Sequence, residues 1–190
     1  MKITQATIFP LSIPLIEPIK MSHELITDAK TVLICLENGE GRQGWGEASV
    51  APLMTGETLD SLLANVRYLA DKARALDWSD PKEYSALLDR ILYGNPSAKS
   101  CFEMALLDLY TQEKSIPLWK YLRASAGLDS IDAPVSIPLL RMLGGSLDKE
   151  LADAKSYREL GFKHWKIKIG SLPLPEDLNR VQLLSEALLG

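Results

Sequence analysis

Only two cysteines, Cys35 and Cys101, occur in the 190 residues, each within an apolar run. Two distant thiols make no disulfide framework, and no C-x-x-C spacing offers a metal site. They read as buried, reduced thiols of a cytoplasmic protein. Long apolar runs are also lacking: the longest are four or five residues, such as Val32–Leu36, far short of the ~20 that span a bilayer. The N-terminus, MKITQATIFPL, has no continuous apolar stretch and no cleavage signal, so a secretory leader is not expected. Basic residues are not in excess, with 21 Lys and Arg against 25 Asp and Glu and a net charge of −4. That sign disfavours a surface for nucleic acid. No Gly-rich phosphate loop, no G-x-S-x-G and no His/Cys/Asp/Glu cluster with metal spacing is found.

What is present is the composition of a globular chain, 46% apolar and 24% charged. Residues 2–14 read as a strand interrupted by Pro10 and closed by Pro14. Residues 16–28, with Pro18 and no clean period, read as a mobile loop. A β-branched strand, 30–37, is followed by the turn signal Asn38-Gly39-Glu40-Gly41 and a returning strand, 42–48. Helical periodicity then covers 58–76, and Asp80-Pro81 and Asn95-Pro96 signal two further helix starts. The second opens an apolar helix over 97–114, which Pro117 ends before a short helical turn at PLWKYL. Three strands followed by helices define an α+β domain. From about residue 130 the pattern becomes strand 133–140, helix 146–161, strand 162–170 and helix 175–189, the βαβα order of parallel strands. Two such strands close no barrel. The sequence therefore predicts a domain over 1–130 and the start of a second, incomplete one over 131–190.

The strand at 162–170 carries the chemistry. With a period of two, His164, Lys166 and Lys168 share one face, and Trp165, Ile167 and Ile169 share the other. If the apolar set packs on helices, the lysines face the inside of a barrel near the strand's C-terminal end, where barrel active sites lie. Neighbouring ammonium groups in a dry site depress each other's pKa, which makes a lysine a usable base near neutral pH. The other reading is a solvated edge strand carrying lysine to block aggregation. Glu47, Asp108 and His23 read as structural or solvated residues, and Thr55-Gly56-Glu57-Thr58 as a helix start.

Four segments in order, PLSIPLIEPIKMS, GRQGWGEASVAPLMTGET, SAKSCFEMALLDLYTQEKSIPLWKYL and GFKHWKIKIG, resemble the enolase superfamily. Within it, they resemble the muconate-lactonizing subgroup of the mandelate racemase/muconate lactonizing enzyme family. The resemblance implies an α+β capping domain, a three-stranded antiparallel meander plus helices, followed by the first two βα units of a modified TIM barrel. It implies abstraction of a proton α to a carboxylate, giving an enolate held by Mg²⁺. It places the acid/base at Lys168 and its electrostatic neighbour at Lys166. Met21 and His23 fall in a lid over the substrate, and Met54 and Thr55 in a second specificity loop.

The family's metal-binding carboxylates lie on later barrel strands, so no Mg²⁺ ligand is expected in this chain. A capping domain of about 130 residues and a barrel of about 250 need twice this length, and the usual L-L-G-G junction reads YLRASAG. The expectation is thus the N-terminal portion of an isomerase or lyase acting on a small carboxylate. Muconate cycloisomerase, dipeptide epimerase, N-acylamino acid racemase and o-succinylbenzoate synthase chemistries all remain open. It would be inactive without the missing barrel half, supplied in cis or by another chain, and a homo-oligomer when complete. The alternative is a non-catalytic or split-chain assembly module.

Overall fold

Val32, Ile34 and Leu36 are wholly buried along one face of β2 (Leu25–Asn38). Their β-branched and leucine side chains suit a pleated, covered surface. β2 is the middle strand of a three-stranded sheet between β1 (Ile3–Lys20) and β3 (Gln43–Ser49). It pairs antiparallel with β3, Cys35 opposite Trp45. The Asn38 side-chain oxygen accepts the Glu40 and Arg42 N–H groups and so fixes the turn. This computed structural model describes residues 1–20, 25–128, 136–170 and 172–189.

The expected loop over 16–28 is largely strand: β1 runs to Lys20 and β2 begins at Leu25. The prolines explain both the reading and its failure. Pro10, Pro14 and Pro18 are spaced by four, so their missing N–H groups fall on one edge of the strand. β1 has a neighbour on one side only, and an open edge is where proline costs no ladder hydrogen bond.

Four helices follow α1 (Pro52–Thr55). They are α2 (Leu59–Ala73), α3 (Tyr84–Ile91), α4 (Pro96–Glu113) and α5 (Leu118–Ser125). Thr58 and Ser61 form a reciprocal capping box at the start of α2. The core lies between the sheet and α2, α3 and α4, where Leu62, Val66, Leu69, Phe102 and Leu109 are buried completely. Trp78 closes one end, its ring edge-on to Tyr84 at 5.7 Å and its indole N–H on the Ala73 carbonyl.

Along α4, Cys101, Ala105 and Leu109 are fully buried and Met104 is 46% exposed. It lies off the stripe that faces the sheet. Burial pushes the Cys101 thiol up to about 12; the charge of Glu47 acts in the same direction and the Ile34 backbone hydrogen bond opposes it. In native protein at pH 8 Cys101 should therefore react with a thiol reagent orders of magnitude more slowly than in denaturant. Equal rates would contradict this packing.

By its contacts the chain divides into two units, Met1–Ile19 with Ile26–Ser130 and Lys20–Leu25 with Ile131–Gly190. The second holds β4 (Leu140–Leu143), α6 (Leu147–Glu159), β5 (His164–Ile167) and α7 (Leu174–Leu189). β4 and β5 are parallel, Met142 opposite Lys166. The expected strand over 133–140 falls later: residues 133–135 lie outside the described residues, and pairing begins at Leu140. Pro138 lacks an N–H and restrains Ile137, so the ladder starts beyond it. Ser146 caps α6 by accepting the Lys149 N–H. None of the described helices is long and apolar enough to cross a membrane.

Candidate active-site strand

The alternation along β5 separates two chemistries. Trp165 and Ile167 are half-buried and pack with Leu143 of β4, Ala154 of α6 and Leu184 of α7. His164, Lys166 and Lys168 are exposed. The lysines leave the same face two residues apart, roughly 7 Å along the strand. Lys168 stands just past the last paired residue, at the strand's C-terminal end. Ile169 departs from the expected apolar set: it is 71% exposed, beyond the end of β5 where the alternation no longer holds. In register beside Lys166 and His164, Met142 and Leu140 of β4 continue the exposed face.

The end of this strand is held by a buried ionic cluster. The Arg180 Nε and terminal nitrogen grip both carboxylate oxygens of Glu150, which is fully buried. Another Arg180 nitrogen donates to the Lys168 carbonyl at 2.8 Å and lies 3.5 Å from Asp177. Asp177 accepts the Gly170 N–H at 2.5 Å. The hydrogen bonds to Glu150 chiefly, and its charge, raise the Arg180 pKa against the opposing effect of burial. Sequence reasoning missed this cluster. Its signal was Asp177 and Arg180 at helical i, i+3 spacing on the same helix as Leu184.

Met54 and Thr55 lie in the one-turn helix α1, which ends at Gly56 in the left-handed conformation. Both are exposed, Met54 at 76%. Met21 and His23 lie outside the described residues. Glu57 has a role the sequence did not suggest. It is buried, and its carboxylate accepts the Ser97 and Ala98 N–H groups at 2.8 and 3.1 Å, capping α4 from 40 residues away. Asn95, expected to be that cap, has φ of 50° and makes no capping bond. Its oxygen accepts instead from Asn65. Asp108 accepts the Trp45 N–H at 2.8 Å and Gln112 donates to the Gln43 carbonyl, so α4 covers the outer edge of β3. The Glu47 carboxylate lies 2.8 Å from the Thr31 hydroxyl.

Among the described residues, no three His, Cys, Asp or Glu side chains converge. Glu150 and Asp177 are engaged by Arg180 and Gly170. The residues present thus do not fit a divalent cation, which needs several oxygen ligands, and no step below is routed through one.

An α+β domain followed by parallel βα units with a K-x-K strand end defines a capping domain joined to the start of a modified (β/α) barrel. Residues 3–122 match the mandelate racemase / muconate lactonizing enzyme N-terminal domain, and the chain belongs to that family of the enolase superfamily. The chain is 31% identical over 188 residues to the D-Ala-D/L-Ala epimerase of Cytophaga hutchinsonii, covering 98% of this chain and 49% of that protein. It is 30% identical to the L-Ala-D/L-Glu epimerase of Bacillus subtilis, covering 96% of this chain and 48% of that protein. The crystal structure of a dipeptide epimerase from Enterococcus faecalis V583, complexed with Mg and the dipeptide L-Leu-L-Tyr, superposes with a TM-score of 0.86. That pair is 28% identical, with 99% of this chain and 51% of that one covered. These relatives are epimerases, one of the chemistries left open by the resemblance to the muconate-lactonizing subgroup. The chain spans about half the length of the curated relatives it matches.

Proposed function

We propose that residues 1–130 are the capping domain and 131–190 the first two βα units of a dipeptide epimerase. In this reading Lys168 removes or returns the proton on the α-carbon of the residue being inverted, and Lys166 is its charged neighbour. The observation that carries it is the exposure of Lys166 on β5, opposite the helix-packed Trp165 and Ile167, and of Lys168 at the strand's C-terminal exit. Met21, His23, Met54 and Thr55 select the substrate's side chains, and any Mg²⁺ would be held by carboxylates outside residues 1–190, where it would supply charge stabilisation. The similarity to dipeptide epimerases favours a dipeptide over other small carboxylates.

Residues 1–190 alone are inactive in this reading. The second unit's fully buried apolar side chains, among the described residues, are Leu143, Ala154 and Leu184. In this reading further barrel strands cover the exposed apolar side chains of β4, Leu140 and Met142.

The test is a protein carrying the whole barrel, incubated with Mg²⁺ and L,L-dipeptides in D₂O. Epimerisation with deuterium entering the α-carbon is expected for at least one Ala-containing dipeptide. Deuterium exchange into an N-succinylamino acid or muconolactone, with none into any dipeptide, would replace the dipeptide reading. Exchange into none of them would favour the assembly-module reading.

A further inference from the structure

Arg180 sits on α7, away from the face that carries the lysine side chains, yet it reaches the backbone of Lys168 itself. Two backbone groups flanking Ile169 are tied to the same cluster: the Lys168 carbonyl to Arg180, and the Gly170 N–H to Asp177. Gly170 has φ of 89°, so the chain turns sharply there. Glu150, on α6, locks the guanidinium in place through two parallel contacts. A bidentate pair of this kind fixes orientation as well as distance.

Burying Arg180 with two carboxylates is costly in desolvation, and apolar side chains of the same volume commonly stabilise a core as well. What apolar side chains cannot do is hold a carbonyl and an N–H at fixed positions. We propose that Arg180, oriented by Glu150 and Asp177, is a positioning residue for proton transfer. It sets the exit of β5 and therefore the place from which the Lys168 side chain reaches the substrate α-carbon. The proposal rests on the assignment of Lys168 as the base.

Positioning by this route is specific to one face of the substrate. The cluster's bonds among the described residues run to Lys168, to Gly170 and within the cluster itself, so a base for the opposite face, supplied from outside residues 1–190, is expected to be unaffected. A displacement of Lys168 by about 1 Å is expected to cost about 10²-fold in its own proton transfer. Transfer on the opposite face should be nearly unchanged, whereas a general loosening of the barrel would slow both.

The experiment measures α-proton exchange in D₂O, in the protein with the whole barrel, for the two stereoisomers of one dipeptide separately. Arg180→Met is expected to lower exchange of the isomer whose α-proton faces Lys168 by about 10²-fold, with KM little changed and the other isomer's exchange retained. Arg180→Lys, which keeps the charge and a donor, should recover part of the loss. The double variant Glu150→Met/Arg180→Met leaves no unpaired partner between those two residues and should fold where the single variant does not, with the same one-sided loss. Equal slowing of both isomers, or no slowing, overturns the proposal; so does failure of both variants to fold. Lys168→Ala is run alongside. If it leaves exchange intact, the assignment of the base has failed; if it abolishes one isomer's exchange while Arg180→Met leaves it intact, the positioning role alone has failed.

Discussion

Alanine at position 46 should destabilise the first unit by about 3 kcal/mol or more, the upper end of overpacking costs. A Cβ on Gly46 would lie 1.9 Å from the Cys101 carbonyl oxygen and 2.9 Å from the Ala105 nitrogen, both backbone atoms of α4. Gly44 meets the same helix one turn on, its Cβ position 2.3 Å from the Ala105 oxygen. The helix rests directly on the backbone of β3, and neither side can yield through a flexible side chain. To make room, α4 must lift from the sheet and surrender the burial of Cys101, Phe102 and Ala105. Gly39→Ala is the control, since its Cβ would meet only Thr4 Cγ2 at an ordinary 3.8 Å, and it should change stability by less than about 0.5 kcal/mol. Urea denaturation of the three proteins side by side checks this. A wild-type midpoint for Gly46→Ala would mean that α4 and β3 are not in this contact.

Replacing Lys168 by alanine, in a protein with the whole barrel, should lower epimerisation by about 10²–10⁴-fold, the usual contribution of a positioned acid or base. The substrate should still bind, because the change removes only the proton carrier. Lys166→Ala should also lower kcat, through the loss of its charge beside Lys168. Both expectations depend on the strand's register. Shifting it by one residue would turn Lys166 and Lys168 into the helix-facing layer with Leu143 and Leu184, and an unpaired buried charge costs several kcal/mol. Register and chemistry are therefore fixed by the same alternation. Steady-state rates on the dipeptide that the wild type inverts best are the measurement, and an unchanged kcat for Lys168→Ala removes it from the reaction.

Periodic features were readable from the sequence because they depend on residues close together. The alternation of Lys166 with Trp165 and Ile167, the apolar stripe of α4 and the turn after Asn38 are each local patterns; the alternation stops at Ile167, short of the expected 170. Features that depend on distant partners were not readable. Asn95 followed by Pro96 looks like a helix start, and a helix does start there, but its cap is Glu57, brought close only by the fold. The pair Gly44 and Gly46 gave no phosphate-loop spacing; its meaning is visible only with α4 lying on β3. The prolines of β1 suggested a break because proline disfavours inner strands, and only the strand order shows that β1 is at the edge. At the candidate site, the lysines were legible and the Arg180 cluster was not, since Glu150 and Arg180 are 30 residues apart. The i, i+3 spacing of Asp177 and Arg180 on the helix that carries Leu184 was the available hint.

In the proposed reaction Lys168 exchanges a proton with one face of the substrate. Deuterium entry at the α-carbon, followed by NMR or mass spectrometry for each dipeptide stereoisomer with Lys168→Ala, tests it most directly. Exchange should vanish for the isomer whose α-proton faces β5 and persist for the other, while epimerisation, which needs both faces, stops. Exchange of both isomers at the wild-type rate would contradict the assignment of the base to this strand.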